Sequence, residues 1–129
     1  MNKKVLIVDD STFMRMVLKD IVARHDSTLE ILEADGEKSA IASIQKNLPN
    51  LVLLDIVMNN SEVEGINILR TINSKFHQIS VIMITSVGHA SVVEECETLG
   101  SKGYIRKPFD PAEIKQEIVK YLYPLCQRQ

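Results

Sequence analysis

"LVLLDIVM", residues 51–58, opens with four aliphatic residues and then presents a carboxylate, Asp55. A run without polar alternation reads as a strand covered on both faces, the mark of a parallel sheet. "VLIVDDS", residues 5–11, repeats the arrangement and delivers two carboxylates, Asp9 and Asp10, after a strand over 4–8. Short apolar runs at 81–84 and 103–105 extend the set. A fifth run, 29–33, alternates with glutamates and is expected at a sheet edge.

The stretches between these strands carry helical spacing. Met14, Val17, Leu18 and Ile21 recur at i, i+3, i+4, i+7, with Ser11 or Thr12 placed to cap. Ala40, Ile41, Ile44 and Leu48 mark a second helix, stopped before Pro49. Gly65, Ile68, Leu69 and Ile72 mark a third. Val92, Cys96 and Leu99 mark a fourth, closed by Gly100. Ile114, Ile118, Leu122 and Leu125 mark a fifth, with Asp110 as cap and Pro111 at its first position. The order is (βα)5, which implies right-handed crossovers and a three-layer α/β sandwich.

Bulk properties narrow the function classes. A chain of 129 residues is expected to form one domain, spanning 1–129, with a core large enough to need no disulfide or metal staple. Fifteen basic and seventeen acidic residues leave a net charge of −2. There is no basic footprint, so direct nucleic-acid binding is not expected. Cys96 and Cys126 fall in no metal-ligand or CxxC spacing and read as reduced thiols. His25, His77 and His89 have no partner spacing and read as surface residues. No stretch has the length of a signal peptide core or membrane span, so a cytoplasmic location without membrane association is expected.

Open α/β sheets bind ligands beyond the carboxyl ends of their strands. Here those ends carry Asp9, Asp10, Asp55, Thr85, Ser86 and Lys107. Two carboxylates about 4 Å apart repel by roughly 4 kcal/mol at an effective dielectric of about 20. A divalent cation relieves that repulsion, and hard oxygen ligands in an open site suit Mg²⁺. A carboxylate beside a cation, an ammonium and a hydroxyl is built to receive a phosphoryl group, with Asp55 as the nucleophile.

Taken together, "VLIVDDS" (5–11), "LVLLDIVM" (51–58), "VIMITS" (81–86) and "GYIRKPF" (103–109) resemble the receiver domains of two-component response regulators over essentially the whole chain. "STFMRM" (11–16) is similar to the stand-alone chemotaxis type. The resemblance implies a flavodoxin-like five-stranded parallel sheet of order 2-1-3-4-5. Only a few residues follow the fifth helix, so no output domain is expected in this chain. The resemblance also implies residue roles. Asp55 matches the phosphoacceptor, Asp10 the direct Mg²⁺ ligand and Asp9 the carboxylate holding metal-bound water. Val57 matches the donor of a backbone carbonyl to the metal. Lys107 matches the lysine that pairs with the phosphoryl oxygens, and Lys107-Pro108 a peptide usually found cis. Thr85 matches the hydroxyl that moves onto the phosphoryl group, and Tyr104 the aromatic that moves inward with it.

What the resemblance implies for function is a phosphorylation switch rather than an enzyme. A sensor histidine kinase would dock near the first helix and phosphorylate Asp55. The altered face of helix 4, strand 5 and helix 5 would then bind a target, the flagellar switch or another effector, in chemotaxis or motility. The chain is expected to be monomeric. Val57 and Val87, two residues beyond Asp55 and Thr85, lack groups to orient a water, so slow self-dephosphorylation and a possible external phosphatase are expected. An alternative is a receiver cut from a longer regulator with a DNA-binding or enzymatic output domain. A phosphohydrolase of the haloacid-dehalogenase type would need a second Asp where Val57 stands, and a nucleotide- or flavin-binding module would need glycines that "DDSTFM" lacks.

The chain departs from the receiver pattern in one place. Asn59 follows Met58 where receivers commonly have proline, and Gly65 lies ten residues beyond Asp55 rather than eight. The loop over 59–65 is thus two residues longer, with Glu62 and Glu64 expected in solvent.

Overall fold

The computed structural model describes residues 2–123. Strands β1 (Lys4–Val8), β2 (Glu30–Ala34), β3 (Leu51–Leu54), β4 (Ser80–Thr85) and β5 (Gly103–Arg106) alternate with helices α1 (Thr12–His25), α2 (Glu37–Asn47), α3 (Val63–Lys75), α4 (Ala90–Thr98) and α5 (Pro111–Leu122). All strand pairs are parallel, in the order β2-β1-β3-β4-β5. This is the doubly wound fold that the strand and helix pattern predicts.

The absence of polar alternation in β1 and β3 has a direct structural cause. Val5 and Ile7 face a layer with Leu18, Ile21 and Val22 of α1 and Ile114, Ile118 and Leu122 of α5. Leu6 and Val8 face the opposite layer with Ala40 and Ile44 of α2, Ile68, Leu69 and Ile72 of α3, and Cys96 of α4. Side chains that alternate across a strand therefore meet helices on either side, and both sets must be apolar. Each fully buried Leu or Ile contributes about 1.5–3 kcal/mol. The more polar β2 lies at an edge, as its glutamates require, and β5 forms the other edge.

Helix boundaries follow local chemistry. Ser11, not Thr12, caps α1, its hydroxyl accepting from the Met14 N–H at 3.1 Å. Leu48 does not extend the apolar face of α2. It is the left-handed C-cap (φ 47°) and 54% exposed. Asp110 and Glu113 form a reciprocal capping box behind Pro111. Leu125 and Cys126 lie outside the described residues, whereas Cys96 is buried, which pushes its thiol up to about 11. His77 and His89 are exposed and His25 half-buried.

Gly65 explains how α3 meets the sheet. A Cβ on it would lie 2.4 Å from the Ile56 carbonyl oxygen and 2.6 Å from that of Asp55. The missing side chain lets α3 press against the backbone just beyond β3. Gly65→Ala is expected to push α3 away and to lower unfolding free energy by about 1–3 kcal/mol, measured by urea denaturation.

Candidate functional site

The sheet holds three of the site residues through main-chain bonds one step past the strands. The N–H of Asp9 donates to the Ala34 carbonyl at 3.1 Å, that of Asp55 to Val8 at 3.0 Å, and that of Lys107 to Thr85 at 2.9 Å. The peptide after Lys107, to Pro108, is cis. These bonds extend the β-ladder, so the side chains project from a rigid frame into one crevice.

In that crevice the Lys107 ammonium donates to Asp9 Oδ2 at 2.8 Å and to Asp55 Oδ2 at 3.0 Å. Asp9 and Asp55 are buried and Asp10 is exposed. The remaining carboxylate oxygens have backbone donors. Asp9 Oδ1 accepts from the Ser11 N–H at 2.9 Å, and Asp55 Oδ1 from the Val57 N–H at 3.2 Å. Burial raises the pKa of Asp55, and the Asp9 charge adds to the rise, while the Lys107 hydrogen bond and charge oppose it. For Lys107 burial acts downward, but its bonds to Asp9 and Asp55 outweigh it and the net shift is upward. The pocket thus holds more negative charge than one ammonium neutralises.

One oxygen each from Asp9, Asp10 and Asp55 lies within 4.8 Å of the others. Two of these groups are buried and one faces solvent. That donor set, hard and open on one side, fits a Mg²⁺ that keeps part of its water shell. Two buried carboxylates and an exposed one beside a single lysine also give the cation an electrostatic reason to bind.

Thr85 is fully buried at the end of β4, and its hydroxyl accepts from the Val87 N–H at 3.4 Å. Tyr104 on β5 is half-buried, and its hydroxyl donates to the Val87 carbonyl at 2.5 Å. Burial pushes the Tyr104 phenol up to about 12. Val87 therefore joins the two residues through opposite ends of its backbone.

Three contributors escape the sequence reading. Arg15 donates to the Asp9 carbonyl at 2.7 Å and to Glu33 Oε1 at 3.1 Å, pinning the Asp9-Asp10 turn to the β2 edge. Its signal is an arginine in the first turn of α1, a place where the helix dipole disfavours it. The 59–65 loop supplies the others. Met58 and Ser61 pair across a tight turn in which Asn59 and Asn60 both take positive φ, 54° and 61°. Two asparagines suit that turn because they tolerate the left-handed region. Asn59 then donates its N–H to Asp10 Oδ2 at 2.8 Å. Glu64 is only half-buried, but it is not the free loop residue expected. It stands in the first turn of α3 and accepts from Asn59 Nδ2 at 2.7 Å and from the Glu37 N–H at 2.8 Å. Those bonds, Glu37's first, hold its carboxyl below the ordinary range. Glu62 is exposed, as expected.

The chain is similar to known proteins over nearly its whole length. Residues 5–119 match the response regulator receiver domain. The chain is 34% identical over 122 residues to the chemotaxis protein CheY of Bacillus subtilis (strain 168), covering 95% of this chain and 99% of that one. It is equally 34% identical, over 122 residues and 95% of both chains, to the sporulation initiation phosphotransferase F of the same organism. A CheY-like receiver domain protein from Methanospirillum hungatei JF-1 superposes with a TM-score of 0.85 at 25% identity, covering 100% of both chains.

The Lys107 contacts carry a stability consequence. Lys107→Met leaves Asp9 and Asp55 buried without their cation. At pH 7 and without metal, the loss is expected to be about 3 kcal/mol in urea unfolding. Because burial sets the folded carboxyl pKa above the unfolded one, its charge then opposes folding at neutral pH. The deficit relative to wild type should therefore shrink as pH falls through that raised pKa.

Proposed function

The chain belongs to the response regulator receiver domain family, and from that membership we propose a phosphorylation switch acting through Asp55. The observation that carries the reading is the Lys107 ammonium bridging Asp9 and Asp55, with an oxygen of Asp10 within reach of both. Asp55 Oδ attacks the phosphorus of a phosphohistidine. The P–N bond breaks, its electron pair stays on the donor imidazole, and an aspartyl phosphate forms. Mg²⁺, held by Asp10, Asp55 and the Val57 carbonyl, with Asp9 orienting its water, would neutralise charge on the transferring group. Lys107 pairs with the phosphoryl oxygens, since its ammonium already donates a hydrogen bond to Asp55 Oδ2.

The modification adds about −1.5 to −2 charges. Thr85 turns its hydroxyl toward them and gives up its bond from the Val87 N–H. That loosens the loop to which Tyr104 is tied, and the face of α4, β5 and α5 changes. Partner binding through that face is the output; a full swing in population needs about 5.5 kcal/mol of bias. A sensor histidine kinase docks beside α1, where Phe13 and Met16 are 71% and 62% exposed close to the acidic turn. Similarity to chemotaxis proteins supports a chemotaxis or motility role, with a flagellar switch or other effector as target. No described helix is long and apolar enough to cross a membrane.

A second reading keeps the switch and changes its setting. The chain also matches a protein-glutamate methylesterase/protein-glutamine glutaminase of Trichodesmium erythraeum, of which it covers 38%. A receiver serving a larger regulator is thus an alternative to the stand-alone form.

Incubation with acetyl phosphate and Mg²⁺ tests the chemistry. Intact mass should show one phosphoryl group on wild type and none on Asp55→Ala. Val57 and Val87, both half-buried and apolar, offer no group to hold an attacking water. Val57→Asn is therefore expected to lose its phosphoryl group faster than wild type, followed by the decay of the phosphorylated mass.

A further inference from the structure

The turn over 58–61 and Glu64 have no part in the switch as described, yet they reach its acidic pocket. We infer that Asn59 and Glu64 are positioning residues which clamp Asp10 for the cation and tie the pocket to the N-terminus of α2. The inference rests on the functional reading above.

Four contacts make a continuous chain. The Asn59 N–H donates to Asp10 Oδ2 at 2.8 Å, and Asn59 Nδ2 donates to Glu64 Oε2 at 2.7 Å. Glu64 Oε1 accepts from the Glu37 N–H, the first of α2, at 2.8 Å. Asn67, one turn further along α3, donates to Glu37 Oε1 at 3.4 Å. Gly36, the N-cap of α2, provides no side-chain cap, so a carboxylate from another helix satisfies an orphan donor of α2.

Two features fit this arrangement to the chain's own sequence. A Cβ on Gly36 would lie 3.0 Å from Glu64 Oε1, although the backbone there is extended and needs no glycine for its φ. The small residue makes room for the carboxylate. In the turn where Asn59 and Asn60 take positive φ, the Asn59 N–H meets Asp10 while its side-chain amide meets Glu64. An exposed aspartate without such a donor samples several rotamers, and a cation must select one of them. The clamp makes that selection in advance.

Mg²⁺ affinity, measured by calorimetry on the unphosphorylated protein, distinguishes the possibilities. Asn59→Gly keeps the positive φ and the N–H but loses the bond to Glu64. Glu64→Ala loses both of its bonds and a charge. Each is expected to weaken Mg²⁺ binding about fivefold or more. Glu64→Gln removes the charge but still accepts from the Glu37 N–H, and the Asn59 amide can turn to meet it. It should bind within about twofold of wild type. By reciprocity, Mg²⁺ should slow hydrogen exchange at the Glu37 amide in wild type and not in Asn59→Gly. Unchanged affinity in Asn59→Gly and Glu64→Ala would overturn the clamp. Equal weakening in Glu64→Ala and Glu64→Gln would also overturn it, since charge alone would then account for the effect. Should Glu64→Ala fail to fold, Asn59→Gly decides. A wild-type protein that does not bind Mg²⁺ would sink the functional reading itself.

Discussion

One ammonium shared by two buried carboxylates sets the terms for the rest of this molecule. Lys107 follows β5, Asp9 follows β1 and Asp55 follows β3, so its two bonds span sequence separations of 98 and 52 residues. They form only if the sheet has the order it has, with β1 beside β3 and β5 reaching across the end of β4. Thr85 stands at the end of that crossed strand, which is why a hydroxyl lies in the same crevice. The interaction also leaves the site unsaturated. Three carboxylates face one lysine, and the residual negative charge gives a divalent cation an electrostatic reason to bind.

The crevice is connected outward in two directions, each time through a backbone group of a loop. On one side Val87 accepts the Tyr104 hydroxyl with its carbonyl and gives its N–H to Thr85. On the other the Asn59 N–H meets Asp10, and Glu64 continues the link to α2. The sheet stays fixed by its aliphatic layers. Gly65 keeps α3 tight against β3, so the frame behind Asp55 offers little room to yield.

Much of this was legible in the chain because the relevant signals are local. "LVLLD" announces a strand covered on both faces with a carboxylate at its tip, and the helix caps at Ser11 and Asp110 follow from side-chain chemistry within one turn. The 59–65 loop was not legible in the same way. Its departure from the receiver pattern is visible as a missing proline and a displaced glycine. Its path depends on Asn59 and Asn60 adopting positive φ and on an acceptor, Asp10, that precedes Asn59 by 49 residues. Glu64 looked like a solvated loop residue because nothing nearby in sequence pairs with it; its partner is the first N–H of another helix.

Residue order alone thus determined the alternating βα architecture, the aliphatic strands and the acidic, hydroxyl and ammonium groups at their ends. Those properties depend on the period of side chains along a strand or helix, which a few neighbouring residues settle. Tertiary structure decided which end group touches which, that Lys107 lies between Asp9 and Asp55, that Arg15 pins the acidic turn, and that Glu64 caps α2. Such contacts join residues dozens of positions apart, and their geometry exists only once strand order and helix packing have fixed the distances.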